Sequence, residues 1–205
     1  MSTNVFLDVE KFKDQIPYYL TQQQKEGLLK ALEDFPENTS YYLSDYPVDL
    51  KNAALQGDVF NGLTIYGPKG SRQIKGIILS NSCDIDTQNK RDFPMRAVFA
   101  PLVSLAAIVE KLQVAKISQN VIDAKLDAIK KQLVTNIVYL PECEHIPESI
   151  IFLDDMHPIP TEELRKCLEE QQKILTLSQV GFYILLFKLS IHFCRFHEKV
   201  ARYDN

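Results

Sequence analysis

The sequence predicts an α+β fold: a small antiparallel β-barrel with an N-terminal helical strap, an inserted helical hairpin and a long apolar C-terminal helix. Three observations carry this expectation. Between Gly57 and Ser104 lie three apolar runs of strand length, Asp58 to Tyr66, Gln73 to Ser80 and Met95 to Ala100, each bounded by turn residues. After Pro101 the apolar period lengthens from two toward 3.6 residues. Val180 to Phe196 is apolar on nearly every side.

The chain has 205 residues, 45% hydrophobic and 24% charged, which is enough to bury a sizeable core. A net charge of -4 argues against a surface broadly committed to nucleic-acid phosphates, although it leaves room for a local basic patch. The opening residues lack the basic and apolar regions of a secretory signal, so a cytoplasmic location is expected. Cys83, Cys143, Cys167 and Cys194 are widely spaced without a CxxC pair, which points to reduced thiols rather than a disulfide framework.

Residues 1–56 read as the strap. Phe6, Val9 and Phe12 give a weak helical spacing cut by Pro17; Thr21 caps a firmer helix striped by Leu28, Leu29 and Leu32. From Thr39 to Leu55 the pattern is irregular, and Tyr41 and Tyr42 fit a packing seam or, alternatively, a ligand contact. Residues 57–205 form the barrel domain. Gly67 to Ser71 makes a hairpin turn, and its glycines lack the spacing and the following helix of a phosphate loop.

Leu102, Leu105, Ala106, Val109 and Leu112, then Ile117, Val121, Ile122 and Ile129, predict a helical hairpin over about 102–132. Its lysines, Lys116, Lys125, Lys130 and Lys131, are the one modest basic concentration, read as a solvated face or a nucleic-acid contact. Strands are expected at Thr135 to Leu140 and Ser149 to Leu153, and a helix start at Thr161 with Glu162 and Glu163 in its first turn. Ser178 is a suitable N-cap for the last helix, over about 178–202. Lys188 and His192 interrupt that helix and its end is charged, so it is expected to pack between the barrel and a second surface rather than to span a membrane.

The loop Ser80-Asn81-Ser82-Cys83-Asp84-Ile85-Asp86 is the first candidate site, because a thiol, two carboxylates and small polar groups follow a buried strand directly. Cys83 as a nucleophile needs a base or a cation, from His145, His157, His192, His197 or Arg96; otherwise it is a small residue packed at a strand end, with Asp84 forming an Asx turn. Ser80, Asn81, Ser82 and Asp86 are its binding-loop candidates. Two further sets have metal-compatible types without a knuckle spacing: Cys143 and His145 with His192, Cys194 and His197, and Asp154, Asp155 and His157 with Asp84 and Asp86. Solvated or capping roles are the simpler account of both, so no metal or cofactor is expected.

The order of these signals resembles the MazF/PemK toxins. Gly57-Asp58-Val59 opens the unit; Ile77-Ile78-Leu79-Ser80-Asn81 and Val98-Phe99-Ala100-Pro101-Leu102-Val103-Ser104 follow; Leu140-Pro141, Glu148 to Asp154 and Leu177-Ser178 complete it. The resemblance covers roughly residues 57 to 200 and implies an SH3-like barrel. It also implies cleavage of single-stranded RNA by an arginine of an Arg-Pro pair with a hydroxyl of a Pro-x-Thr-Ser segment. Here Ile74-Lys75 occupies the Arg-Pro position, Arg72 lies two residues early, Val103 replaces the threonine, and Ser104 alone remains. The expected function is therefore a non-enzymatic or catalytically degenerate barrel protein. It would act on a protein partner or a second copy through its C-terminal helix, in a bacterial toxin-antitoxin, immunity or phage-defence system. The alternative is a hydrolase, most simply an endoribonuclease, using Arg72 or Arg96 with Ser104, or Cys83 with Asp84 and a histidine.

Overall fold

The structure, a computed structural model, describes residues 40–44, 48–68, 70–86 and 95–193, with positions 22, 23, 26, 30 and 93. The expected helices before Thr39, together with Cys194 and His197, lie outside the described residues. The fold is α+β with antiparallel sheets. A five-stranded sheet has the order β7-β3-β2-β1-β8, comprising β1 (Val59–Gly67), β2 (Gly70–Ile78), β3 (Arg96–Pro101), β7 (His157–Pro160) and β8 (Lys173–Leu175). A three-stranded sheet has the order β4-β6-β5, comprising β4 (Val103–Ser104), β5 (Ile137–Leu140) and β6 (Ser149–Phe152). The helices are α1 (Val48–Lys51), α2 (Ser82–Ile85), α3 (Leu105–Val114), α4 (Gln119–Lys130), α5 (Thr161–Glu169) and α6 (Gln179–Phe193).

Among the described residues no ladder joins the two sheets into a closed barrel. They meet where one run of chain leaves the first sheet for the second. Pro101 lies opposite Gly76 and brings no N–H, the Leu102 N–H turns to the Lys75 carbonyl at 2.9 Å, and Val103 then pairs with Ile150. Gly76 permits this crossing, since a Cβ there would stand 2.7 Å from the Phe99 ring and 2.9 Å from the Leu63 side chain.

Strand alternation sorts the apolar residues into layers. Val59, Ile77 and Ala100 face a core shared with Val138, Leu140 and Ile151 of the second sheet and Ile184 and Leu185 of α6. Phe60, Ile78 and Phe99 face the opposite way, onto Ile85 after Cys83 and onto Leu164 and Cys167 of α5. Tyr139 and Ile150 likewise turn outward, against Leu105 of α3 and Ile129 of α4. The strap contributes Tyr41, buried in the shared core, and Tyr42, whose hydroxyl donates to the Pro141 carbonyl at 2.7 Å. Both tyrosines thus serve a packing seam.

Three short strands, β4, β7 and β8, escape the sequence pattern. Residues His157–Pro160, expected as an acidic loop, pair with β3 despite two prolines, and Lys173–Leu175 pairs with β1. No helix among the described residues is long and apolar enough to cross a membrane.

Candidate functional site

The Cys83 loop is a single helical turn, α2, capped by Asn81. The Asn81 side-chain oxygen accepts from the Cys83 N–H at 2.9 Å, so Asn81 caps the turn. Ser80 is structural: its hydroxyl accepts the Val98 N–H at 2.7 Å and fastens the loop to β3. The Ser82 hydroxyl accepts from the Gln56 N–H at 2.9 Å, tying the strap to the same turn. A cavity of about 430 Å³ opens there; Ser82, Cys83 and Asp86 share it with Ala53, Thr161 and Arg165.

Arg96 and Ser104 do not line it. Arg96 is exposed at the first position of β3, opposite Pro160, whereas Ser104 ends β4 and precedes the first turn of α3 in the other sheet. No described histidine lines this cavity either. His157 meets Asp155 at 2.9 Å and packs on Phe99, His192 packs on Phe193, and the His145 carbonyl accepts from Lys75. Among the described residues no group of three His, Cys, Asp or Glu side chains is arranged to hold a metal ion. A second, larger cavity of about 680 Å³ runs between the β1–β2 hairpin and α5. It carries both signs of charge, Lys75 and Lys166 against Glu163 and Glu170, and Tyr66 donates to Glu163 at 2.6 Å beside it.

Three buried charged groups, Asp58, Lys173 and Lys188, are not among the candidate site residues. Asp58 and Lys173 form an ion pair at 2.7 Å, both essentially sealed from solvent. Lys173 also donates to the Leu50 and Ala53 carbonyls, and Asp58 accepts from the Leu55 N–H at 2.7 Å. The pair therefore staples the strap to β1 and β8. Burial raises the Asp58 carboxyl above the ordinary range even with Lys173 beside it. Lys188, within α6, is buried, and among the described residues no carboxylate pairs with it. Its amine donates to the Gln132 carbonyl at 2.9 Å and to the Val134 carbonyl, and burial pushes it down to about 7. Lys188 interrupts the apolar run in sequence because it serves the end of another helix.

Gln132 turns that contact into an edge cover. It sits at φ +59 after α4, and its side chain pairs with Tyr139 like a neighbouring strand: Nε2 donates to the Tyr139 carbonyl at 2.7 Å and Oε1 accepts the Tyr139 N–H at 3.0 Å. Beside it, Glu148 receives Lys130 at 2.6 Å and the Tyr139 hydroxyl. Although partial burial opposes it, those two partners hold the Glu148 carboxyl below its ordinary value. The outer edges of β7 and β8 are covered as well. On β7, His157, Ile159 and Thr161 face β3, so Pro158 and Pro160 present an outer edge without N–H donors. Beyond β8, Tyr42 bridges Leu177, and the Leu43 N–H donates to the Thr176 carbonyl at 3.0 Å.

Among the described residues, α6 is apolar on both its buried and its half-buried sides. Gly181, Ile184, Leu185 and Lys188 form its buried stripe at i, i+3, i+4 and i+7. The strap seats the N-terminal end: the Ser178 N–H donates to the Tyr41 carbonyl at 2.9 Å, and its hydroxyl both donates to the Ser40 carbonyl and accepts from the Gly181 N–H. Tyr183 and Leu186, at the spacing of the opposite face, are half-buried, and Phe193 is 57% exposed. No protein-family model matches this chain, and no curated protein matches it.

Proposed function

We propose that this protein works by binding another protein chain, most simply a second copy of itself, through the outward face of α6. One observation carries the reading. α6 is apolar on nearly its whole circumference, and while Ile184, Leu185, Val180, Phe182 and Leu189 serve the core, Tyr183 and Leu186 on the far side stay only half-buried. The outer edges of β5, β7 and β8 are covered by the Gln132 carboxamide, proline and the strap, which favours this helix as the surface for association.

In this reading the two sheets are an SH3-like barrel opened along one seam, and the chain is a relative of the MazF/PemK toxins whose RNA-cleaving positions have degenerated. The continuous passage from β3 to β4 and the terminal apolar helix support that kinship. Its setting would be a bacterial toxin-antitoxin, immunity or phage-defence system in the cytoplasm.

Light scattering on the purified chain tests the proposal. Self-association or a retained partner is expected, and Leu186→Glu or Tyr183→Glu should abolish it while leaving the circular dichroism spectrum unchanged. A monodisperse monomer that retains nothing under native pull-down refutes it. Cleavage of single-stranded RNA that is lost in Ser104→Ala or Cys83→Ala would replace it with the hydrolase reading.

A further inference from the structure

We infer that the tip of the α3–α4 hairpin is a second docking surface, distinct from α6, for an acidic helical segment of another protein with an aliphatic face. Six large apolar residues are prominently exposed among those described, and three of them, Val114 (77%), Ile117 (37%) and Val121 (45%), lie within eight residues at this tip. That clustering is unlike scattered exposed apolar side chains, which need no explanation.

The charge around the patch is selective. Lys111 stands three residues before Val114 on α3, Lys125 four after Val121 on α4, and Lys116 sits in the connection; all three are exposed. Of the hairpin's carboxylates, Asp127 is paired with Lys131, while exposed Glu110 and Asp123 keep their charge against the three ammonium groups of Lys111, Lys116 and Lys125, which leaves the tip net positive. In a protein of net charge -4, the tip therefore offers aliphatic surface rimmed by ammonium groups. A carboxylate-rich helix with a Leu, Ile or Val stripe complements both features.

Two other classes of partner fit less well. Single-stranded nucleic acid is held by aromatic stacking beside the basic groups, and the tip has no aromatic residue. Membrane-surface helices carry Trp, Phe or Leu on a broad apolar face, whereas the exposed aliphatics here are three β-branched residues at one end of a hairpin.

The backbone at the tip also provides a way to vary its charge without loosening the fold. Lys116 closes α3 in a left-handed conformation, φ +57, with the Lys116 N–H on the Gln113 carbonyl and the Ile117 N–H on the Leu112 carbonyl. Glycine relieves such a position. The chain instead places a cation there, beside exposed Ile117.

A selection experiment tests the inference. The full chain is presented with a library of randomised three-turn helical peptides in low salt. The expected pool is acidic, with aliphatic residues at i, i+3 or i+4 and i+7. Its affinity for Val114→Ser/Val121→Ser should fall about tenfold or more. It should also weaken with added salt and against Lys116→Gly. Lys116→Gly relaxes the backbone, so weaker binding there cannot be misfolding. A pool without acidic bias, a pool that binds the tip variants as well as the native chain, or no enrichment at all overturns the inference. So does displacement of the pool by oligo-uridine or by phosphatidylserine vesicles. Leu186→Glu on α6 should leave the pool's binding unchanged, which keeps this result separate from the fate of the α6 proposal.

Discussion

Replacing Lys188 by Met tests whether a neutral amine inside the apolar helix shapes the stability of the whole molecule. Met matches the length of the lysine stem and fills its space, so the change removes the ionisable group and its two carbonyl contacts with little loss of packing. In the folded chain burial brings the Lys188 amine to about 7, against 10.5 for an ordinary lysine. Between those values the unfolded chain binds the additional proton, so stability must rise with pH. Each unit corresponds to about 1.4 kcal/mol at most, and integrating from pH 7 to 9.5 gives a gain of about 3 kcal/mol. Below about 7 both states are protonated and this group adds no further slope.

Urea unfolding followed by circular dichroism at pH 7.0, 8.0, 9.0 and 9.5 measures the effect. The native chain should gain stability across that interval relative to Lys188→Met. At pH 7 the variant should sit within about 1–3 kcal/mol of the native chain, since removing an amine that was costly to bury offsets the loss of a donor to the Gln132 and Val134 carbonyls. Parallel stability curves for the two proteins would refute the reasoning, because the amine would then be charged in the folded state at neutral pH.

Two further perturbations follow from the same physics. Lys116, Gln132 and Gln171 all end helices at positive φ, each with the same pair of backbone hydrogen bonds, yet only the Gln132 side chain has a documented task there. Lys116→Gly and Gln171→Gly should each raise unfolding free energy by about 0.5–1 kcal/mol, whereas Gln132→Gly should lower it by about 1–3 kcal/mol as Tyr139 loses both partners; thermal denaturation of the three variants checks the difference in sign. Lys173→Met should cost about 3–5 kcal/mol in urea unfolding by leaving the Asp58 carboxylate buried alone, and a loss under 1 kcal/mol would mean that the pair is open to water.

Period and turn chemistry made much of the fold legible. Apolar runs bounded by turn residues mark β1, β2, β3, β5 and β6 within three residues at each end, and the longer period marks α3 and α4 on either side of Ser118. The strands that escaped are short. β4 is two residues, β8 is three, and β7 alternates proline with its inward residues, which reads as a loop until β3 lies beside it. The division into two sheets was equally hidden, since the turn of Leu102 toward the Lys75 carbonyl depends on where β2 ends in space.

The candidate site was less legible, for a related reason. Ser80, Asn81 and Ser82 attract attention as polar residues after a buried strand, but their oxygens are spent on Val98, Cys83 and Gln56 amides. Arg96 and Ser104, close in sequence, are carried to different sheets by the passage at Pro101. Asp58, Lys173 and Lys188 gave no local signal: each is a charge whose partners lie between 54 and 123 residues away along the chain, apart from the Asp58–Leu55 contact.

The crossing from β3 to β4 also constrains how errors are tolerated. Both strands belong to one short run of chain, so a slip of that run by a single position would turn inward side chains outward in both sheets together. Neither half can be mis-aligned while the other stays correct. Assembly of the molecule is thereby tied to one decision, made over the few residues that flank a proline.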